Sequence, residues 1–190
     1  SPAFIAQLNF ANNGQITIDS TKLEGLQNYG NRGNLSFVNA ANASLTISRT
    51  REYGILNQNR EDQAGYATVM NFVNHGNISF NNTLWAAWHN YNERGNALNV
   101  TNNGTVNILQ SQQYGIYNRC YNSAPTPPDY SYEITNLNFT NNGTVNIDGT
   151  VFAGLYNYAD AGDNLNFTNL ATLNINNSIE QGIYNRSRKS

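Results

Sequence analysis

The stretch LNVTNNGTVNILQSQQYGIYN (98–118) decides the fold of this chain. Leu98, Asn99 and Val100 alternate apolar, polar, apolar, and Val106, Asn107 and Ile108 do so again. Ile116, Tyr117 and Asn118 keep the same rhythm if Asn118 turns inward. Alternation with a period of two marks short strands with one buried face. No stretch of the chain shows a sustained helical period, which speaks against helix.

The same text recurs along the chain. The first phrase returns as LNFANNGQITI (8–18), LSFVNAANASLTI (35–47), MNFVNHGNISF (70–80), LNFTNNGTVNI (137–147) and LNFTNLATLNI (165–175). The second phrase follows each copy at one spacing, as GLQN (25–28), GILN (54–57), AWHN (87–90), GIYN (115–118), GLYN (154–157) and GIYN (182–185). A fixed period of about 28 residues predicts a solenoid whose repeats bury their apolar faces against their neighbours. Three short strands per period make it all-β: a parallel β-helix of about six rungs and three sheets, with residues 1–190 forming a single segment. The spacing of leucine-rich repeats is absent.

Stacking the copies predicts columns. Asn12, Asn39, Asn74, Asn102, Asn141 and Asn169 follow the first strand; Asn28, Asn57, Asn90, Asn118, Asn157 and Asn185 end the third. At ~4.8 Å per rung, identical amides can hydrogen-bond up and down a ladder. Asn also tolerates the left-handed backbone that bends require, which suits these columns to the corners. Thr21, Thr50, Thr83, Ser111, Thr150 and Ser178 form a further column, expected to bond locally within its turn. Trp88, with Ala87 in place of the usual Gly, predicts a local bulge in the third rung. Two insertions, 58–69 and 119–136, fall between the third strand and the next rung, and insertions in a solenoid map to loops on one face.

Composition narrows the function. The net charge is −2 and only 12% of residues are charged, which argues against the basic stripe of a nucleic-acid binder. Asn fills about a fifth of the chain, but the apolar repeat and 12% aromatic content supply a core and oppose disorder. The single cysteine, Cys120, excludes an internal disulfide. No apolar run reaches the ~20 residues of a membrane helix, so no direct membrane insertion is expected of this segment. The chain opens mid-repeat at Ser1, and reads as an excerpt of a longer protein whose coil ends offer end-to-end self-association.

Searching for chemistry yields little. Asp19 and Asp148 share a column but stand four rungs apart, on the order of 19 Å at ~4.8 Å per rung, too far for a glycosidase pair. Glu52 and Glu180 are separated likewise, while Glu61, Asp62, Asp160 and Asp163 look like solvated turn residues. His75 and His89 lie on different strands without metal-ligand spacing, and no sequence feature calls for a cofactor. No enzymatic activity is expected.

The third-strand face carries the binding signal. Its outward column runs Gln27, Leu56, His89, Tyr117, Tyr156, Tyr184, and the residues just past the ladder Asn run Tyr29, Gln58, Tyr91, Arg119, Tyr158, Arg186. Tyr121, Tyr130 and Tyr132 sit in the long insertion beside them. Aromatic faces with polar donors suit sugar rings and protein partners alike. Stacked tyrosines can equally serve only to brace a parallel sheet.

Asn-rich rungs carrying NNGT followed by GIYN resemble the passenger repeats of bacterial autotransporters and two-partner-secreted filamentous adhesins, with the vacuolating-toxin-like subset among the nearer matches. The resemblance spans 8–185 and implies a right-handed parallel β-helix at, or released from, a bacterial cell surface. It further implies attachment to a host-cell surface protein or glycan, with no catalytic motif. The expectation is an adhesin segment whose contacts are His89, Tyr91, Tyr117, Arg119, Tyr121, Tyr130, Tyr132, Tyr156, Tyr158 and Tyr184. The competing expectations are a passive stalk and, behind it, a polysaccharide-cleaving β-helix enzyme.

Overall fold

The computed structural model describes residues 6–31, 33–60, 68–93, 96–121, 135–160 and 163–188. The first rung is β1 (Ala6–Asn12), β2 (Gln15–Asp19) and β3 (Leu26–Asn31), and the second β4 (Gly33–Asn39), β5 (Ser44–Ser48) and β6 (Tyr53–Arg60). The third is β7 (Val69–Asn74), β8 (Asn77–Thr83) and β9 (Ala86–Glu93), and the fourth β10 (Ala97–Asn102), β11 (Thr105–Ser111) and β12 (Tyr114–Tyr121). The fifth is β13 (Asn136–Asn141), β14 (Thr144–Asp148) and β15 (Ala153–Ala159), and the sixth β16 (Asn164–Asn169), β17 (Thr172–Asn176) and β18 (Gln181–Ser187). Strands of like position pair in parallel into three six-stranded sheets, β1-β4-β7-β10-β13-β16, β2-β5-β8-β11-β14-β17 and β3-β6-β9-β12-β15-β18. The fold is therefore a parallel β-helix, as the repeat predicts.

Register follows the columns. Leu98 pairs with Met70 and Leu137, and Asn102 with Asn74 and Asn141. Alternate residues of β13 are buried, namely Leu137, Phe139 and Asn141. Phe37 and Phe72 stack at 4.3 Å between ring centres, and Phe139 and Phe167 at 5.1 Å. Each fully buried apolar side chain contributes roughly 1.5–3 kcal/mol of transfer free energy.

Trp88 does not bulge the rung. Ile55, Trp88 and Ile116 are consecutive partners in an unbroken register. Its indole is fully buried and lies 4.8 Å from Phe72 and 5.6 Å from Phe139, on the rungs where the neighbouring column is Phe. The fourth rung carries the smaller Val100 there, and the large side chain from the third rung occupies the space so released. Compensation in volume replaces the expected distortion.

The left-handed corner also falls elsewhere than expected. The positive φ values belong to Ser20, Arg49, Asn82, Gln110, Gly149 and Asn177, the residue just before each Ser/Thr, and not to the ladder Asn. The first-column Asn instead end their strands and turn inward, while the second-column Asn, expected to end the third strand, lie within it and turn inward because the strand runs on past them. Two pairs of the Ser/Thr column bond along the axis, and Thr21 and Ser111 bond locally. Thr83 donates to Ser111 at 2.8 Å, and the Thr150 and Ser178 hydroxyls lie 2.7 Å apart. Ser111 also donates to the Tyr114 carbonyl within its own turn.

Both Asn columns form continuous ladders. In the first, Asn12, Asn39, Asn74, Asn102 and Asn141 each donate Nδ2 to the Oδ1 of the next Asn at 2.7–2.8 Å. In the second, Asn28 through Asn157 do the same up to Asn185, at 2.8–2.9 Å. The first ladder has a fixed direction, because the amide also donates to the backbone of the following rung. Asn102 Nδ2, for example, reaches the Thr144 carbonyl at 3.3 Å. Solvent-side Asn rows run the other way: Asn166 donates to Asn138, Asn138 to Asn99 and Asn99 to Asn71.

The extra two residues of the second copy are absorbed in one turn, where Ala43 N–H donates to the Ala40 carbonyl at 2.9 Å. The insertions are shorter than the sequence suggests. Residues 58–60 belong to β6 and 119–121 to β12, while 69 opens β7 and 136 opens β13. The third strands extend because the residue two past the second ladder lies inward: Asn59 in β6, Asn92 in β9 and Cys120 in β12. Asn59 donates to the Thr68 and Ala97 carbonyls, and Asn92 to that of Asn136.

Candidate functional site

The third sheet faces solvent with rings, and its corner explains why they gather there. In β12, Gly115 and Ile116 are both buried, so Tyr114 and Tyr117 emerge on the same side three residues apart. Two aromatic columns thus converge instead of one. Trp85 packs on Tyr53 at 5.1 Å, on Tyr114 at 5.6 Å and on Tyr117 at 5.7 Å. Tyr114 reaches Phe152 at 5.8 Å and Tyr156 at 5.2 Å, and Tyr156 stacks on Tyr184 at 4.8 Å. The face is continuous from the second rung to the sixth.

Tyr53, Trp85, Tyr114 and Phe152 are members that the sequence reading missed. The signal was the Tyr-Gly dipeptide at 53–54 and 114–115, and the aromatic two residues before Ala87 and Gly154. Of the residues expected there, Tyr117, Tyr156 and Tyr184 line this face, and Tyr91, Arg119, Tyr121 and Tyr158 form a second band beside it. Tyr130 and Tyr132 lie outside the described residues, as do Glu61, Asp62 and most of the long insertion.

His89 is not a surface contact. It is 7% exposed, stacked on Tyr117 at 4.6 Å and flanked by Tyr53 and Trp85. Neither ring nitrogen has a hydrogen-bond partner. Burial, seconded by the nearby Arg119 charge, pushes its pKa down to about 3, so the imidazole is neutral. Leu56, at 6% exposure, holds the same position one rung below. The site is an apolar one that His89 fills as a ring.

The second band is built around a cation. The Arg119 guanidinium lies over the rings of Tyr91 at 5.4 Å, Tyr121 at 4.8 Å and Tyr158 at 5.7 Å. Arg186 lies over Tyr158 from the other side, at 5.7 Å. Burial raises the Tyr117 hydroxyl to about 12 and holds Tyr91 well above its ordinary value, so both stay protonated donors.

Other chemistry is sparse. Asp19 pairs with Arg49 at the corner between the second and third sheets. Among the described residues, no group of three or more His, Cys, Asp or Glu side chains converges. Cys120 is buried, and desolvation pushes its thiol up to about 12, which leaves it unreactive. Asp163, half-buried, is raised by desolvation while accepting from the Thr135 N–H at 3.3 Å.

Compared with family models, with curated proteins and with solved structures, the chain matches none.

Proposed function

We propose that this chain is a segment of a bacterial surface adhesin that binds a host-cell surface protein or glycan through the ring-bearing face of its third sheet. The observation that carries this reading is the aromatic face running from Tyr53 to Tyr184 across five rungs. Partly exposed rings held rigidly by a sheet lose little conformational freedom on binding, which is what makes Tyr and Trp effective anchors. The likeness to autotransporter and filamentous-adhesin passenger repeats supports the same reading and an extracellular location for the parent protein. No residue is assigned a catalytic role.

The test is binding of the intact chain to host cells and to a glycan array, beside W85A/Y156A and a chain lacking 122–134. Loss of binding in W85A/Y156A, with the far-ultraviolet spectrum unchanged, supports the adhesin. Rings that stack on one another also brace neighbouring strands, as in the His89–Tyr117 pair at an interplanar angle of 4°. A passive stalk is therefore the second reading, and it predicts no binding by any of the three proteins.

A further inference from the structure

Resting on that reading, we infer that the ligand of the third-sheet face is a sugar chain carrying anionic groups, carboxylate or sulfate, lying along the coil axis with its charges on Arg119 and Arg186.

The chain as a whole is slightly acidic, yet this band presents two guanidinium groups held by π faces. The acidic groups of the band have partners other than the two guanidinium groups. Glu93 pairs with Arg60 at 3.5 Å, and Asp160 accepts from the Tyr158 hydroxyl at 3.5 Å. Among the described residues, no carboxylate forms an ion pair with Arg119 or Arg186. Arg119 Nε is buried without a hydrogen-bond partner. Three flanking rings hold the guanidinium plane without taking up its hydrogen-bonding edge in full. A guanidinium presented in this way is a fork for a planar carboxylate or a sulfate, and the stacked rings fix its orientation in advance.

The adjacent rings set what else the ligand must be. Tyr117, Tyr156 and Tyr184 are consecutive partners in register, and each presents a ring beside the arginine band. Tyr117 is stacked on His89 and Tyr156 on Tyr184, so these rings turn their edges and hydroxyls outward, and the hydroxyls supply hydrogen bonds to the substituents of a sugar. One ring per rung means one Tyr hydroxyl every ~4.8 Å, comparable to the advance per residue of an extended sugar chain. Arg119 and Arg186 are two rungs apart, roughly 10 Å, with Tyr158 between them. The geometry thus matches an acidic group on every second sugar. A flat aromatic band without cations would fit a neutral glycan equally well; the two arginines make the distinction.

The experiment is calorimetric titration of the intact chain with three probes: tetragalacturonate, a sulfated galactotetraose and neutral galactotetraose. Binding by either anionic probe, at least about tenfold tighter than the neutral one and weakening from 50 to 300 mM salt, is the expected result. R119Q and R186Q should each weaken the anionic probe about tenfold while leaving any neutral binding in place, and R119K should not restore it, because Lys lacks the fork. R186Q guards against misfolding, since Arg186 is exposed on the last rung. Equal affinity for the neutral probe, or no binding of either anionic one, overturns the inference. Host-cell binding that survives in R119Q/R186Q but is lost in W85A/Y156A would overturn it while leaving the adhesin standing.

Discussion

The inside and the outside of this coil use the same residues to different ends. Asn102 and Asn138 each sit in a ladder with amide hydrogen bonds of 2.7–3.0 Å to neighbouring rungs. Asn102 is fully buried, accepts from Asn74, and donates to Asn141 and to the Gly104 and Thr144 carbonyls. Asn138 is only partly buried and has water as an alternative partner. Trp88 and Tyr117 form the same contrast among the rings: one fills the interior, the other presents a face. Bond length separates the two sides only slightly, 2.7–2.8 Å for Asn102 against 2.9–3.0 Å for Asn138. What distinguishes them is what replaces the interaction when it is lost, water outside and nothing inside.

The largest effect expected from this contrast is in the aromatic pair. Trp88→Ala should destabilise by about 3–5 kcal/mol in urea denaturation, while Tyr156→Ala should lose about 1 kcal/mol or less. Comparable losses would mean that the outer rings are structural, and would move weight to the stalk.

The Asn pair should show the next effect. Asn102→Ala removes the acceptor of the Asn74 amide and the donor shared by Asn141 Oδ1 and the Gly104 and Thr144 carbonyls, all in the buried ladder, and should lose about 2–3 kcal/mol. Asn138→Ala should lose about 0.5 kcal/mol. Equal midpoint shifts for the two variants would break the distinction between inner and outer ladders.

His89 sharpens the comparison, since it is an outward residue that behaves as an inward one. Its folded pKa, about 3, lies below the unfolded value near 6.5, so the unfolded chain binds the extra proton. Its contribution is fully present above pH 6.5 and is lost as pH falls toward 3, at up to about 1.4 kcal/mol per pH unit. His89→Leu, which copies Leu56, should flatten the wild-type stability slope between pH 6.5 and 4.5. An unchanged slope would show that the imidazole is hydrated.

The smallest effect concerns the corner. Gln110 holds a φ of 57°, where the corresponding residue of the next rung is Gly149 at 73°. Gln110→Gly should raise stability by about 0.5–1 kcal/mol. A loss on calorimetric melting would mean that the Gln side chain contributes more than the strained backbone takes away.

Most of the architecture was legible because the repeat states it six times, and alternation in LNF and VNI fixes which residues turn inward. The ladders were legible for the same reason: identical residues at one register must meet. The site was legible only in part. Alternation breaks at Gly115, where two consecutive residues face the core, so counting outward positions from Tyr117 skips Tyr114, and with it Tyr53, Trp85 and Phe152. The burial of His89 depends on rings contributed by the rungs on either side and by its own rung, which no single repeat displays. The left-handed column was assigned to Asn from propensity alone. Position in the turn decides it, and Arg49 and Gln110 adopt it without any such preference.

Successive members of the first ladder are 27, 35, 28, 39 and 28 residues apart, yet every amide finds the next. The larger surplus leaves the coil at one corner only, after the third strand, where Asn59 and Asn92 close the backbone behind the departing chain. That corner is an editable port. Lengthening a loop there adds only about 0.6 kcal/mol of closure entropy per doubling, and the register on either side does not shift. Such a coil can exchange what it displays, rung by rung, without renegotiating how it folds.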